Sequence, residues 1–192
     1  MIDLVRIADA YALAAHGHAG QTRKGPGDIP YINHPCDVAA LVARHGGSPE
    51  AVLAAVLHDM VEDTDATVAG LAERFGAEVA GVVDELTDRE GWEALPLAER
   101  KALQAAHIRG ASASARLVKL ADQTSNVADL AQMPAAKNRA RNRVYLDGAR
   151  AIAAACQGVS PGLEAEFEKA SAALEAALEQ TGSGPRQGGA QQ

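Results

Sequence analysis

The residues best suited to chemistry lie in the segment 58–64, HDMVEDT, which directly follows a run of seven uncharged, apolar residues. Such a run is typical of a buried helix. Residues four apart share a helix face, so the spacing places His58 beside Glu62 and Asp59 beside Asp63. Carboxylates that are removed from water must be paired with a cation or bind a metal. One imidazole and three carboxylates at the end of a buried helix therefore indicate a metal site.

A second interpretation of this segment is purely structural. Asp63, Thr64 and Asp65 could end one helix and cap the next, because short side chains with an oxygen accept hydrogen bonds from the free N–H groups of a helix start. Capping explains Asp63 or Asp65, but it gives no purpose to the adjacent pair His58 and Asp59. We therefore favour the metal site.

A third ligand is predicted in the segment 31–35, YINHP. Pro35 suits the first turn of a helix, and a residue that precedes proline is disfavoured in the helical region. We therefore expect His34 to be held at the entrance of a helix. By itself His34 would be interpreted as a hydrogen-bonded core residue, but together with His58 and Asp59 it is a candidate ligand.

The segment 116–126, RLVKLADQTSN, offers a fourth ligand. Lys119, Asp122 and Asn126 are spaced by three and four positions and share one helix face, beside an apolar stripe. A carboxylate in that setting is a candidate ligand. An ordinary surface ion pair between Lys119 and Asp122 explains this stretch equally well.

Positive charge, which a phosphate-bearing substrate would need, is concentrated in two places. Arg23 and Lys24 lie in the loop 20–30, where glycine and proline favour turns over helix. The second place is a predicted long helix that carries Lys137, Arg139, Arg141 and Arg143. This run is the largest local positive field in an acidic protein, although Arg141 itself is expected to point into solvent.

Helix signals recur along the chain and predict an all-α fold, a bundle of about eight to ten helices. Residues 1–180 are expected to form a single domain, and residues 181–192, which include no large apolar residue, are expected to be disordered. Apolar periodicity, caps and prolines place helices at about 3–18, 35–45, 49 through the metal motif, 67–75, 77–88, 96–110, from 112 or 114 onward, 135–157 and 161–180.

Composition agrees with this fold and excludes several functions. Only 3% of the 192 residues are aromatic, which suits close-packed helices and argues against a β-sandwich. A net charge of −7 excludes a generally basic nucleic-acid binder. No apolar run is long enough to span a membrane. Cys36 and Cys156 are few and far apart, which predicts free thiols and a cytoplasmic location.

In combination, the motifs resemble those of HD-domain phosphohydrolases, and most of all the hydrolase domain of the RelA/SpoT family. The segments 20–24, 31–35, 58–64 and 119–126 carry the resemblance, in this order, and it extends from about residue 8 to Tyr145. It implies an HD-domain helical bundle that hydrolyses the 3′-pyrophosphate of (p)ppGpp to GDP or GTP and pyrophosphate. Because the chain ends soon afterwards, we expect a stand-alone small alarmone hydrolase, like the metazoan SpoT homologues.

The resemblance also implies a role for individual residues. Glu62 and Asp63 match the catalytic acidic pair that handles the attacking water. The implied metal ligands are His34, His58, Asp59 and Asp122, which would hold Mn²⁺, and the implied substrate-binding residues are Arg23, Lys24, Asn126 and Tyr145. The chain departs from the family pattern at Gln123, where many relatives carry a basic residue, and at Gly148, which replaces a common tryptophan.

The chemistry of the residues agrees with this assignment but leaves other functions open. Two imidazoles and two carboxylates suit Mn, Fe, Co or Zn rather than a structural thiolate-bound zinc. An HD-domain phosphatase acting on NADPH or another nucleotide is the first alternative, because one arginine can stack on guanine or adenine. A non-catalytic nucleotide sensor is disfavoured, because every acidic residue and every ligand is present. The expected partner is a small-molecule nucleotide, with no nucleic acid and no membrane; the sequence does not specify an oligomeric state.

Overall fold

The computed structural model describes residues 3–24, 27–132 and 138–180, and the regular structure of this part of the chain is helical apart from one isolated bridge between Thr22 and Pro30. The predicted all-α fold is thus confirmed. The helices are α1 Leu4–Gly17, α2 Asn33–Arg44, α3 Pro49–Leu57, α4 Met60–Asp63, α5 Val68–Phe75, α6 Ala77–Leu86, α7 Leu97–Ile108, α8 Ala113–Gln132, α9 Arg139–Ala155 and α10 Pro161–Gln180, with a short 3-10 helix at Trp92–Ala94.

Helix α8 forms the centre of the bundle. It packs against α2, α3, α6, α7, α9 and α10, and its apolar residues Leu120 and Ala121 are completely buried. The charged residues Lys119 and Asp122 are buried on the same helix, at 8% and 6% exposure. A helix that is buried on all sides must satisfy its polar groups inside the protein. The surface ion pair considered for Lys119 and Asp122 is therefore wrong.

Side-chain caps position several helices. The Ser48 side chain accepts a hydrogen bond from the Ala51 N–H at 3.1 Å, at the start of α3. Thr67 and Ser112 act in the same way on the first turns of α5 and α8. Each cap satisfies an N–H group that has no partner inside its helix.

The spacing of the metal motif predicted one continuous helix, but the structure has two helices with a break between them. Helix α3 ends at Leu57, His58 and Asp59 form a turn whose dihedral angles stay in the right-handed helical region, and α4 begins at Met60. The His58 side chain contributes to the break, because its Nδ1 hydrogen-bonds to the carbonyl of Ala55 at 2.9 Å. The two candidate ligands thus occupy the break, and the acidic pair belongs to the next helix.

His34 lies at the entrance of its helix, as predicted, but the helix begins two residues earlier than position 35. Helix α2 begins at Asn33, so His34 is in its first turn. The preference against helical backbone before Pro35 is overcome there, because the His34 N–H donates to the carbonyl of Tyr31 at 2.9 Å. The lost N–H of Pro35 costs nothing, since first-turn N–H groups have no partner within the helix.

The remaining segments differ from prediction mainly at their ends. Helix α6 ends at Leu86, because the backbone of Thr87 is extended, while its N–H and its hydroxyl both donate to the Val83 carbonyl. The predicted start of α9 at 135, the cation Lys137 and the predicted disorder of 181–192 lie outside the described residues. Within the described residues, none of the helices combines the length and apolar character needed to cross a membrane.

Candidate functional site

A cavity of about 490 Å³ opens where the loop after α1 meets the starts of α2 and α4 and the middle of α8. This volume is within the range of pockets that bind nucleotide-sized ligands. All ten residues for which the sequence predicted a metal, catalytic or substrate role line this one cavity: His34, His58, Asp59, Asp122, Glu62, Asp63, Arg23, Lys24, Asn126 and Tyr145. The roles themselves stay predictions.

Three of the four candidate metal ligands form a compact cluster. One ligand atom from each of His34, His58 and Asp59 lies within 4.8 Å of the others. Asp59 Oδ2 is 3.2 Å from His58 Nε2 and 3.7 Å from His34 Nε2. Asp122 reaches the cluster from α8, with Oδ1 at 3.2 Å from His34 Nε2. The break after α3, the first turn of α2 and the centre of α8 therefore converge at one point.

Both histidines direct the same ring nitrogen toward this point. His34 Nδ1 is 3.2 Å from the Ser125 hydroxyl, and His58 Nδ1 is 2.9 Å from the Ala55 carbonyl. The Nε2 atoms therefore face the carboxylates, and His58 Nε2 is buried without a hydrogen-bond partner among the described residues. A buried, unpartnered nitrogen whose opposite ring nitrogen is anchored is the arrangement of a metal-bound histidine. The cluster fits a divalent cation.

The carboxylates of the two candidate ligands are held in the charged form. Burial acts to raise the pKa of Asp59, but the imidazoles of His58 and His34 outweigh it and lower that pKa. Burial opposes charge on Asp122 as well, yet Lys119, whose Nζ is 3.6 Å from Asp122 Oδ2, brings its pKa well below the usual value. Tyr31 also donates its hydroxyl to Asp59 Oδ2 at 2.7 Å. Both groups are therefore available as anionic ligands.

In the acidic pair on α4, Glu62 and Asp63, the pKa values are raised instead of lowered. Glu62 is exposed in the open cleft, but the surrounding cavity walls remove part of its hydration, and this raises its pKa to about 7. Its Oε1 accepts a hydrogen bond from the Asp88 N–H at 2.8 Å, which fixes the carboxylate. Partial burial raises the pKa of Asp63 as well. A carboxylate with a raised pKa close to the cluster is suited to accept a proton from water.

Arg23 connects the loop after α1 to α8. Its guanidinium donates to Asp129 Oδ2 at 2.7 Å and to Asn126 Oδ1 at 2.8 Å, and it lies 5.7 Å from the centre of the Tyr31 ring. Asn126 in turn donates to Asp122. Arg23 and the candidate ligand Asp122 thus share a hydrogen-bonding neighbour, and Lys24 lies beside them at the exposed rim.

The cation Lys101 also lines the cavity, and sequence reasoning missed it. It is only 5% exposed, its Nζ donates to Gln123 Oε1 at 2.9 Å, and it stands 4.2 Å from the centre of the Tyr145 ring. A signal was present in the sequence. Lys101 falls at the spacing of the buried residues Ala105 and Ile108 and so belongs to the apolar face of its helix.

The basic run of α9 adds one residue to the cavity. Arg141, which was predicted to be solvated, is exposed and also lines the cavity. Arg143 instead forms an ion pair with Glu175 of α10 at 3.5 Å. The turn of the helix decides this, because residues two apart point in different directions.

Comparison with known proteins assigns the chain a sequence family. The model of the HD domain matches residues 10–148. The chain is 39% identical over 169 residues to the guanosine-3′,5′-bis(diphosphate) 3′-pyrophosphohydrolase MESH1 of Xenopus tropicalis, covering 86% of this chain and 93% of that protein. It is 38% identical to MESH1 of Homo sapiens, covering 84% of this chain and 90% of the relative.

Longer proteins and a solved structure show the same similarity. The bifunctional (p)ppGpp synthase/hydrolase SpoT of Escherichia coli is 34% identical over 148 residues, which are 74% of this chain but 20% of SpoT. A solved structure of a metazoan orthologue of SpoT that hydrolyses ppGpp superposes with a TM-score of 0.77 at 32% identity, covering 92% of this chain and 96% of the other. Similarity therefore extends over nearly the whole described bundle.

Proposed function

The chain belongs to the HD-domain family, and we propose that it hydrolyses the 3′-pyrophosphate of (p)ppGpp, giving GDP or GTP and pyrophosphate. One observation carries the proposal. The cluster of His34, His58 and Asp59 stands beside the acidic pair in a cavity with a cationic rim. Relatives that are named as hydrolases of this substrate match nearly their whole length.

We propose His34, His58, Asp59 and Asp122 as the residues that hold the metal, and Mn²⁺ as the ion. The mixed nitrogen and oxygen donors suit that ion. When bound, the cation acts as a Lewis acid toward a phosphate oxygen and lowers the pKa of water. Ser125 and the Ala55 carbonyl keep the two imidazoles in the required orientation.

In the proposed reaction, Glu62 accepts a proton from the attacking water. The raised pKa of Glu62 lets its carboxylate take that proton near neutral pH. The water oxygen forms a bond to the phosphorus that carries the ribose 3′-oxygen, and the bond from that phosphorus to the 3′-oxygen breaks. Protonated Glu62 gives this proton back to the departing 3′-oxygen, which leaves as a hydroxyl, and both phosphates leave together as pyrophosphate. Asp63 is the second acidic residue that orients the water.

The cations of the rim bind and orient the nucleotide in this proposal. Arg23 presents a planar guanidinium beside Tyr31, a surface on which a purine can stack, and its N–H groups suit phosphate. Asn126 and Tyr145 line the same wall, and Lys24 adds charge at the mouth. We also propose a cytoplasmic location, which the free thiols of Cys36 and Cys156 support.

The decisive experiment follows products from Mn²⁺-loaded protein supplied with ppGpp, pppGpp or NADPH, separated by anion-exchange chromatography. We expect ppGpp to give GDP and intact pyrophosphate, and Asp59→Ala protein to give neither. Release of single orthophosphates, or faster turnover of NADPH than of ppGpp, would contradict the proposal and identify a phosphatase of another nucleotide.

A further inference from the structure

The ammonium group of Lys101 is the buried cation for which the proposed chemistry has no use. It lies on α7 at 5% exposure, facing the cavity between Gln123 of α8 and the ring of Tyr145 on α9. Its hydrogen-bonding partner is an amide oxygen, and an aromatic face covers one side. An ammonium has three N–H donors, so this environment leaves it able to donate to a further group.

Two other cations of the cavity are already paired with carboxylates of the protein, and Lys24, Arg100 and Arg141, which also line it, are more exposed than Lys101. Arg23 pairs with Asp129 at 2.7 Å, and Lys119 lies 3.6 Å from Asp122. Within the described part of the chain, no carboxylate comes within ion-pair distance of Lys101. Burial of a cation without an anion is costly, and an anionic ligand would remove that cost.

Gln123 fixes the position of Lys101 relative to the metal ligands. Its Nε2 donates to Asp122 Oδ2 at 2.7 Å, while its Oε1 accepts from Lys101 Nζ at 2.9 Å. The side-chain amide of Gln123 is therefore the group that connects the ammonium to the candidate metal ligand Asp122. A diphosphate that has its first phosphorus at the metal ligands can extend its second phosphate to this ammonium.

Gly148 provides the space that Lys101 occupies. A Cβ atom at position 148 would lie 2.6 Å from Lys101 Cβ and 2.7 Å from its Cγ. These atoms are at the base of the side chain and cannot swing aside as the end of a lysine can. Any larger residue at 148 would therefore displace the whole lysine side chain.

We propose that Lys101 is a substrate-binding residue that binds the outer phosphate of the 3′-diphosphate, and that Gln123 and Gly148 position it for this contact. The identity of the diphosphate rests on the proposed function. The contact itself rests on the ammonium without an anionic partner, its connection to Asp122 through Gln123 and the space at Gly148.

The contact makes binding dependent on pH. Burial lowers the pKa of Lys101 to about 7, and Arg100 of its own helix and Lys119 of α8 act in the same direction. Asp122 and Asp88 act against this but do not reverse it. Above pH 7 the lysine of the empty cavity is thus largely neutral, and a bound phosphate favours its charged form. Binding should take up a proton, and this group alone weakens the affinity by up to about tenfold per pH unit above pH 7.

The test measures binding of inorganic pyrophosphate and of orthophosphate to Mn²⁺-loaded protein freed of excess metal, by titration calorimetry at pH 8. Two buffers of different ionisation enthalpy report the protons that are taken up. We expect Lys101→Met to weaken pyrophosphate binding about tenfold or more, to abolish the additional proton uptake and to leave orthophosphate binding nearly unchanged. Lys169→Met is the matched control, because it removes the same charge from an exposed position on α10.

A second variant keeps the lysine and moves it. Gly148→Ala should weaken pyrophosphate binding in the same direction, since the added Cβ displaces Lys101 without removing its charge. Lys101→Met should melt no lower than the wild type, because it removes a buried cation that has no anion. If Lys101→Met does not fold, Gly148→Ala decides the question. Pyrophosphate affinity and proton uptake equal to wild type in the folded variants would overturn the proposal.

Pyrophosphate is a product and is not turned over, so this test does not depend on catalysis. If the wild type fails to cleave ppGpp and Lys101→Met still loses pyrophosphate, the proposed function is wrong and the diphosphate contact stands. If ppGpp is cleaved and Lys101→Met binds pyrophosphate normally, the proposed function stands and the diphosphate contact of Lys101 is wrong.

Discussion

The orientation of the two imidazoles decides whether the cluster can bind a metal. His34 is anchored at Nδ1 by the hydroxyl of Ser125, and His58 by a backbone carbonyl that no substitution can remove. Ser125 is therefore the anchor that mutagenesis can test. The Ser125 hydroxyl contacts His34, but Ser125 is not one of the predicted metal ligands.

We predict that Ser125→Ala lowers the affinity for the metal by about 10- to 100-fold, as losses of such anchoring partners do. A competition titration of Mn²⁺ against a fluorescent chelator measures the change. Ser171→Ala is the matched control, because Ser171 is completely buried and its hydroxyl has no hydrogen-bond partner among the described residues. Equal metal affinity in the two variants would show that Ser125 does not orient His34.

The acidic pair separates chemistry from metal binding. Glu62 and Asp63 lie on α4, the helix that directly follows the break at His58 and Asp59. Glu62→Gln combined with Asp63→Asn should keep the metal but lower turnover roughly 100-fold or more, because a general base is lost. Elemental analysis and a single-turnover assay measure the two effects. Asp65→Asn, in the exposed loop that follows, should change neither, and wild-type turnover in the double variant would exclude a general-base role for the pair.

At the level of whole elements, Arg23 connects the segment after α1 to α8. The guanidinium uses its fork to reach Asn126 and Asp129 together, and it presents a flat face beside Tyr31. A lysine could keep the charge but not both contacts and not the face.

We therefore predict that Arg23→Lys raises the KM for ppGpp with a smaller effect on kcat and none on metal content. Steady-state kinetics and elemental analysis measure these quantities. Arg143→Lys is the control, because Arg143 forms its ion pair with α10 outside the cavity. An unchanged KM in Arg23→Lys would mean that the loop is held by other contacts.

The elements that could be read from the sequence are those with local signals. Ser48, Thr67 and Ser112 mark helix starts through hydrogen bonds that form within three residues, and local bonds need no tertiary information. The ligand motifs were readable because their residue types suit a metal. Their convergence from α2, α8 and the break after α3 is a tertiary fact, which only the resemblance to a known family supplied.

The features that could not be read depend on competition between local and tertiary forces. Helical spacing predicted one straight helix through 58–63, whereas the bond from His58 to the Ala55 carbonyl interrupts it. The basic run suggested a patch, but the packing of α9 sends Arg141 to the cavity and Arg143 to Glu175. Charge patterns alone do not reveal which side of a helix its neighbours will cover.

For the molecule as a whole, the site joins parts of the chain that are distant in sequence. The proposed metal ligands come from positions 34, 58, 59 and 122, on elements that pack around the central helix α8. A cation at that point would neutralise the buried Asp122 and the half-buried Asp59 and would connect α2, the break after α3 and α8. The metal should therefore contribute to the stability of the entire bundle, in addition to its role in chemistry.

Chelation should accordingly lower the melting temperature of the wild-type protein. A ligand present at 100 times its Kd stabilises the folded state by about 2.7 kcal/mol, and in a chain of this size each kcal/mol shifts Tm by about 2–4 °C. We expect calorimetry to record a Tm higher by about 5–10 °C in saturating Mn²⁺ than in EDTA. His58→Ala should abolish the difference, because it removes the nitrogen that is buried without a partner. His16→Ala, which changes an exposed histidine of α1, should retain it. A shift of the same size in His58→Ala would place the stabilising metal elsewhere in the molecule.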